Sequence, residues 1–181
     1  MKFLNLLILA LCFCACATSS AIKKSEGKTE KTIPVFMTGG QQRTALKTTL
    51  EAQGKTYNFL LLAAKKDDYI NFKLIGDFAA VLASVNLREN NFEYESIAEI
   101  FPPQAIKTME EILLALFAPE NLGKHKYYFK KGESLPYKLK QSGQINKTFL
   151  FENYDGNIPQ NITVSTKFNV VKIDFELLAH N

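Results

Sequence analysis

A mainly β fold is expected: one curved antiparallel sheet of about nine to eleven strands, a half-open barrel with a helix packed in or over its concave face. Three observations in the 181-residue sequence predict it. Apolar and polar residues alternate with period two in many short segments punctuated by turn residues. One stretch alone, opened by Pro102 and Pro103, switches to helical spacing. The chain is also rich in large apolar rings, with 14 Phe and 7 Tyr but no Trp, more than a simple two-sided sheet needs.

Leu46, Thr48, Leu50 and Ala52 share one face, opposite Lys47, Thr49 and Glu51. Gln53, Gly54 and Lys55 form a turn. Tyr57, Phe59, Leu61 and Ala63 line the next strand, and Leu60 and Leu62 make its second face apolar too. The polar loop 65–68 precedes Ile70, Phe72 and Leu74. After Gly76 and Asp77, Ala79, Val81, Ala83, Val85 and Leu87 continue the alternation. It resumes in Phe92 and Tyr94 beyond the polar turn 88–91. Consecutive hairpins with one buried face account for this pattern.

Over 104–118 the apolar residues Ile106, Met109, Leu113, Leu116 and Phe117 fall at helical spacing. Residues 112–118 are apolar on every side, so that end of the helix is expected to be enclosed. Pro119 and Gly123 stop it. Strands return around Tyr127 and Phe129, then Leu135, Tyr137 and Leu139, then Phe149 and Phe151. The turn signal Tyr154, Asp155, Gly156, Asn157 leads to Ile162 and Val164. Val171, Ile173, Phe175 and Leu177 make the last strand.

The N-terminus has the layout of an export signal. Lys2 precedes an apolar run over 3–13, which is followed by small residues. The run is shorter than the ~20 residues of a membrane span. All three cysteines, Cys12, Cys14 and Cys16, lie there. The rest of the chain therefore offers no disulfide, thiolate nucleophile or zinc–thiolate site. Residues 13–16 resemble a lipobox, which makes Cys16 the lipidated first residue, carrying palmitate-type chains. Small-residue sites after Ala17 or Ala21 are the alternative, for a soluble periplasmic or secreted protein. The expected organisation is a signal peptide over 1–15, a lipidated N-terminus and flexible tether over 16–32, and one domain over 33–181. The net charge of +4 is spread along the chain and does not suggest nucleic acid.

Residues 85–95 form a strand, a polar turn and a strand ending in Tyr94 and Glu95. Phe101, Pro102 and Pro103 follow, then 111–119 with its Leu-Leu-Ala-Leu centre, and finally 156–159 ahead of the closing strands. This order resembles the LolA/LolB-like lipoprotein-localisation group, in particular a branch of bacterial outer-membrane lipoproteins often encoded near aryl-polyene or other lipid-biosynthesis genes. The resemblance covers about residues 40–178. It implies a half-open barrel that holds acyl chains under a helical lid, on the periplasmic face of the outer membrane. Acceptors of the LolB type carry an exposed leucine on a protruding hairpin. The corresponding loop here, 65–68, is wholly polar.

The expected function is non-enzymatic binding or carriage of an acyl chain, a lipid or a lipidated protein in a hydrophobic cavity, by a monomer. Candidate lining residues are Tyr57, Phe59, Leu61, Phe72, Val81, Ile106, Met109, Leu113, Leu116, Phe117, Phe149 and Phe175. The alternative is an envelope assembly lipoprotein whose core is filled by its own helix. No catalytic set, metal cluster or cofactor motif is visible, and no cofactor is expected. Glu110 and Glu111 point about 100° apart on a helix and read as a solvated pair. Gly39 and Gly40 read as a turn, His125 as surface and His180 as part of a frayed terminus. Lys124, Lys126, Lys130 and Lys131 read as a lysine-protected strand edge or a contact for anionic headgroups.

Overall fold

Ten strands form one antiparallel sheet in the order β5-β4-β3-β2-β1-β10-β9-β8-β7-β6. The computed structural model describes residues 30–34, 36, 43–52, 54–99, 101–143, 145–167 and 171–180. The expected signal peptide, Cys16, most of the tether, and Gly39 and Gly40 lie outside them. The strands are β1 (Arg43–Ala52), β2 (Lys55–Lys65), β3 (Ile70–Ile75), β4 (Val81–Arg88), β5 (Asn91–Ile97), β6 (His125–Phe129), β7 (Pro136–Gln141), β8 (Lys147–Asp155), β9 (Ile158–Thr166) and β10 (Val171–His180). One α-helix, α1 (Pro103–Phe117), joins β5 to β6.

The topology is two five-strand meanders sewn together where the first and last strands pair, with Thr48 opposite Phe175. β5 and β6 do not pair, so the curved sheet stays open between them. The half-open barrel expected from the sequence is therefore the fold observed. Strand β10 reaches His180, whose backbone pairs with Thr44. The expected frayed terminus is instead the end of a central strand.

Register carries the alternation across the sheet. One inward row runs Tyr57, Leu50, Ile173, Val164, Phe149, Leu139 and Tyr127. A second runs Phe59, Thr48, Phe175, Ile162 and Phe151. A slip of one residue would turn every one of these side chains outward. Gly156, at φ +57°, makes the tight β8–β9 turn that holds this register.

Pro102 sits at the N-cap of α1 and Pro103 opens it, since a ring that fixes φ and lacks N–H is tolerated in a first turn. The far half lies inside the sheet, where Ile112, Leu113, Ala115, Leu116 and Phe117 are buried. Phe117 meets Phe72 of β3 edge-on at 5.0 Å and Phe36 at 5.7 Å. The Phe36 N–H donates to the Leu116 carbonyl at 3.2 Å. A short segment before β1 thus caps the helix from the other side. Chain contacts begin earlier still: the Thr32 N–H donates to the Ser134 carbonyl at 3.0 Å, and Lys31 stands 4.8 Å from the Phe129 ring.

Truncation should separate core from periphery. Phe72→Ala removes a fully buried ring from the contact with Phe117 and is expected to cost about 3–5 kcal/mol. Phe78→Ala, at a fully exposed site, should stay within about 0.5 kcal/mol. Urea unfolding of both variants checks this, and equal losses would contradict the packing described.

Candidate functional site

The concave side of the sheet and the helix lying in it form the candidate site. Of the predicted lining residues, Leu61, Phe72, Leu113, Leu116, Phe117, Phe149 and Phe175 fall in one buried cluster. Phe59 and Met109 are half-buried against it, and Ile106 is half-buried nearer the start of α1. Two positions differ in placement. Tyr57 is 43% exposed and Val81 52% exposed, so both stand at the mouth of the trough rather than inside it. The alternation that put Val81 inward is broken by a register shift between Leu74 and Ile75.

The interior is occupied by the protein itself. Ile112, Leu139 and Phe149 have no exposed surface. Two surface clefts are partly polar. One of about 710 Å³ opens between the β6–β7 loop and β8, beside Glu133, Tyr137 and Asn153. One of about 250 Å³ runs along the start of α1, at Gln104, Lys107 and Thr108, and reaches Glu111, Ile145 and Lys147.

The helix is tied to both halves of the open sheet by its two adjacent carboxylates. The Tyr94 hydroxyl of β5 donates to Glu110 Oε1 at 2.8 Å. Lys147 of β8 forms an ion pair with Glu111. The Lys147 side chain is 1% exposed and that of Glu111 20%. Lys147 Nζ also donates to the Ile145 carbonyl at 3.2 Å. The expectation of a solvated glutamate pair is corrected here. The 100° between neighbouring helical residues sends one carboxylate to each side of the gap. The parity of β8 carried a signal of this, because Lys147 shares the inward face with Phe149 and Phe151. A buried ammonium needs a carboxylate partner. Next to this pair, Gln141 Oε1 is buried and accepts no hydrogen bond from the described residues.

Three tyrosines hold their protons more tightly than free tyrosine. Burial raises Tyr94, helped by its hydrogen bond to Glu110 and that carboxylate's charge. Burial pushes Tyr127 up to about 12, with a contribution from Glu120. Burial also raises Tyr154, whose hydroxyl donates to the Pro136 carbonyl at 2.6 Å. His125 lies at the surface, with Nδ1 2.7 Å from the Gly123 carbonyl.

An apolar rim crowns one end of the sheet, where the β1–β2, β3–β4 and β7–β8 connections and the end of β5 lie. Tyr57, Phe78, Val81, Ile97 and Ile145 are exposed there. Phe78 is fully exposed, and it and Ala79 hold left-handed backbones at φ +57° and +58°. Bulky residues adopt that region only at a cost of about 1–2 kcal/mol each. Hydrogen bonds from Gly76 N–H to the Ala80 carbonyl (2.9 Å) and from Ala80 N–H to the Asp77 carbonyl (3.3 Å) hold the loop. A Cβ at Gly76 would stand 2.8 Å from Leu82 Cδ1, so the Leu82 side chain would have to shift. Loop 65–68, where the resemblance places a protruding apolar residue, is polar, and the exposed aromatic stands in 76–80 instead, after the turn at Gly76 and Asp77.

No family model matches the sequence, and no curated protein matches it. Among solved structures, one named as an outer membrane lipoprotein-sorting protein domain from Vibrio parahaemolyticus is similar in part. It has a TM-score of 0.44 and 11% identity, over 78% of this chain and 85% of that one. That score marks a partial likeness of shape and says nothing of activity.

Two outcomes follow from the site. Glu111→Gln leaves Lys147 buried without its counter-charge and should cost about 3 kcal/mol. Lys147→Met with Glu111→Leu should return close to the parent in urea unfolding, whereas a double variant as weak as the single would contradict the buried-pair reading. The second outcome concerns pH. Raised tyrosine pKa values mean that the folded chain keeps protons the unfolded chain has lost. Their stability is therefore full below about pH 10 and declines as pH climbs toward 12. The urea midpoint should fall between about pH 8 and about pH 11, and less so with Tyr127→Phe and Tyr154→Phe together. An unchanged slope in that double variant counts against the assignment.

Proposed function

We propose that this protein is a lipid-anchored lipoprotein of the cell envelope, facing the periplasm from the outer membrane. It shelters an acyl chain, a lipid or a lipidated client between α1 and the sheet, without catalysis. One observation carries the reading. An unclosed sheet presents an apolar trough, and a single helix plugs it, held to the two halves by Glu110 and Glu111. Lifting the helix would break these side-chain ties and the Phe36 N–H bond to the Leu116 carbonyl, but no strand pairing. The vacated trough would accept an acyl chain, each buried methylene being worth about 0.8 kcal/mol. No polar site is then needed for the chain itself.

The apolar rim supports the same reading. Phe78 is kept in solvent on a strained loop at the end of the sheet where α1 begins. Strain maintained at an exposed aromatic points to a contact surface rather than to folding. On this reading Phe78 does for the 76–80 loop what the exposed leucine does in acceptors of the LolB type, and membership of the LolA/LolB-like group fits the whole. Cys16 supplies the anchor. A second reading rests on the packing: with Ile112, Leu139 and Phe149 fully enclosed, α1 is a permanent core helix and the protein an envelope assembly factor without a ligand.

A fluorescent fatty-acid probe and native mass spectrometry separate the two. On the carrier reading the protein purified from the cell envelope carries a non-covalent, removable acyl adduct in addition to its anchor. Lys147→Met with Glu111→Leu should then take up the probe several-fold faster, because the helix has lost its tie to β8. Leu113→Ala should alter uptake as well as stability. If there is no adduct and no uptake in either the parent or the latch variant, carriage is discarded and the self-filled core stands.

A further inference from the structure

The solvent face of the β6–β8 wall carries a feature that neither the trough nor the rim uses. Register places Tyr128 of β6 beside Lys138 of β7, and Lys138 beside Leu150 of β8. The row next to it pairs Lys126 with Lys140. Lys126, Lys140 and Lys138 all stand around the one Tyr128 ring, at 5.2, 5.6 and 5.9 Å from its centroid. Among the described residues none of the three has a carboxylate within ion-pair distance. Leu150 is 37% exposed beside them.

Three like charges gather around one aromatic ring, and among the described residues no carboxylate is ion-paired with them. Protection of the sheet edge explains Lys126 on β6. It does not explain Lys138 and Lys140 on β7, nor an exposed leucine on β8, because those strands are paired on both sides. Lysines interleaved with an interfacial tyrosine and an aliphatic side chain match a headgroup layer, where phosphates meet ammonium groups and amphipathic rings sit at the boundary. Nucleic acid would call for a wider basic stripe than this +4 chain has.

We infer that the outer wall of β6, β7 and β8 is a docking surface for an anionic phospholipid bilayer. Lys126, Lys138 and Lys140 meet headgroup phosphates, and Tyr128 and Leu150 lie at the boundary with the acyl layer. Docking orients the domain on the membrane. It does not depend on whether α1 yields to an acyl chain, so vesicle binding and acyl-probe uptake fail independently.

The test is co-sedimentation of the full chain, carrying Cys12→Ser, Cys14→Ser and Cys16→Ser throughout so that acylation cannot tether it and no other thiol takes up the dye. The vesicles are phosphatidylcholine alone or phosphatidylcholine with about 30% phosphatidylglycerol. The parent should prefer the anionic vesicles, and the preference should collapse at about 0.5 M salt. Lys126→Ser, Lys138→Ser and Lys140→Ser together should weaken anionic binding roughly 10- to 100-fold. The same loss of charge at Lys55, Lys65 and Lys66 should leave it within about 3-fold. A dye at Leu150→Cys should blue-shift on anionic vesicles, and one at Asn58→Cys on the opposite wall should not; this readout keeps all three lysines in place. Equal binding to both vesicle types, equal losses in both triple variants, a silent Leu150→Cys dye, or patch-dependent binding to a DNA duplex without binding to vesicles would each overturn the proposal.

Discussion

The structure depends on one constraint: the sheet does not close. With β5 and β6 unpaired, ten curved strands enclose more apolar surface than their own side chains fill, and something must cover it. The end of α1 does so. That is why residues 112–118 are apolar all round, where a helix lying on a surface would show one stripe. Phe36 adds to the cover, and its ring meets Phe117 as that of Phe72 does.

The polar contacts follow from the same geometry. A helix that bridges a gap needs a partner on each side, and Glu110 and Glu111 supply them through Tyr94 and Lys147. The ammonium of Lys147 is nearly removed from water, so the pair contributes orientation more than stability. Any displaced α1 would leave that charge uncompensated. On the carrier reading proposed above, opening the trough is tied to what happens at one ion pair.

Three surfaces of the molecule differ in their physics. The trough is apolar and filled, the rim is apolar and exposed, and the outer wall of β6–β8 is cationic around one ring. The rim and the wall each keep groups in water that folding alone does not call for: Phe78 on a strained loop, and three lysines without an ion-pair partner among the described residues. Such features, rather than the well-packed core, carry the information about what the molecule meets.

Much of this was legible in residue order. Period two in the strands, the proline-led switch to helical spacing and the enclosed far end of the helix are local properties, because side-chain direction follows from backbone period alone. They yielded the open sheet with its inner helix and most of the buried lining, including Phe72, Leu116, Phe149 and Phe175. Contacts between distant segments were not legible. That Glu111 meets Lys147, that Phe36 reaches Phe117, and that three lysines from two strands gather on Tyr128 depend on strand register and on the path of α1 across the gap. The register shift that puts Val81 at the mouth and the left-handed turn that exposes Phe78 were hidden for the same reason: alternation is blind to a bulge until a neighbouring strand defines it. The sequence by itself determined which elements form and which face of each is apolar. Only the tertiary structure decided which charges are buried, which rings are exposed and where the two halves are latched, because those outcomes depend on which strands become neighbours.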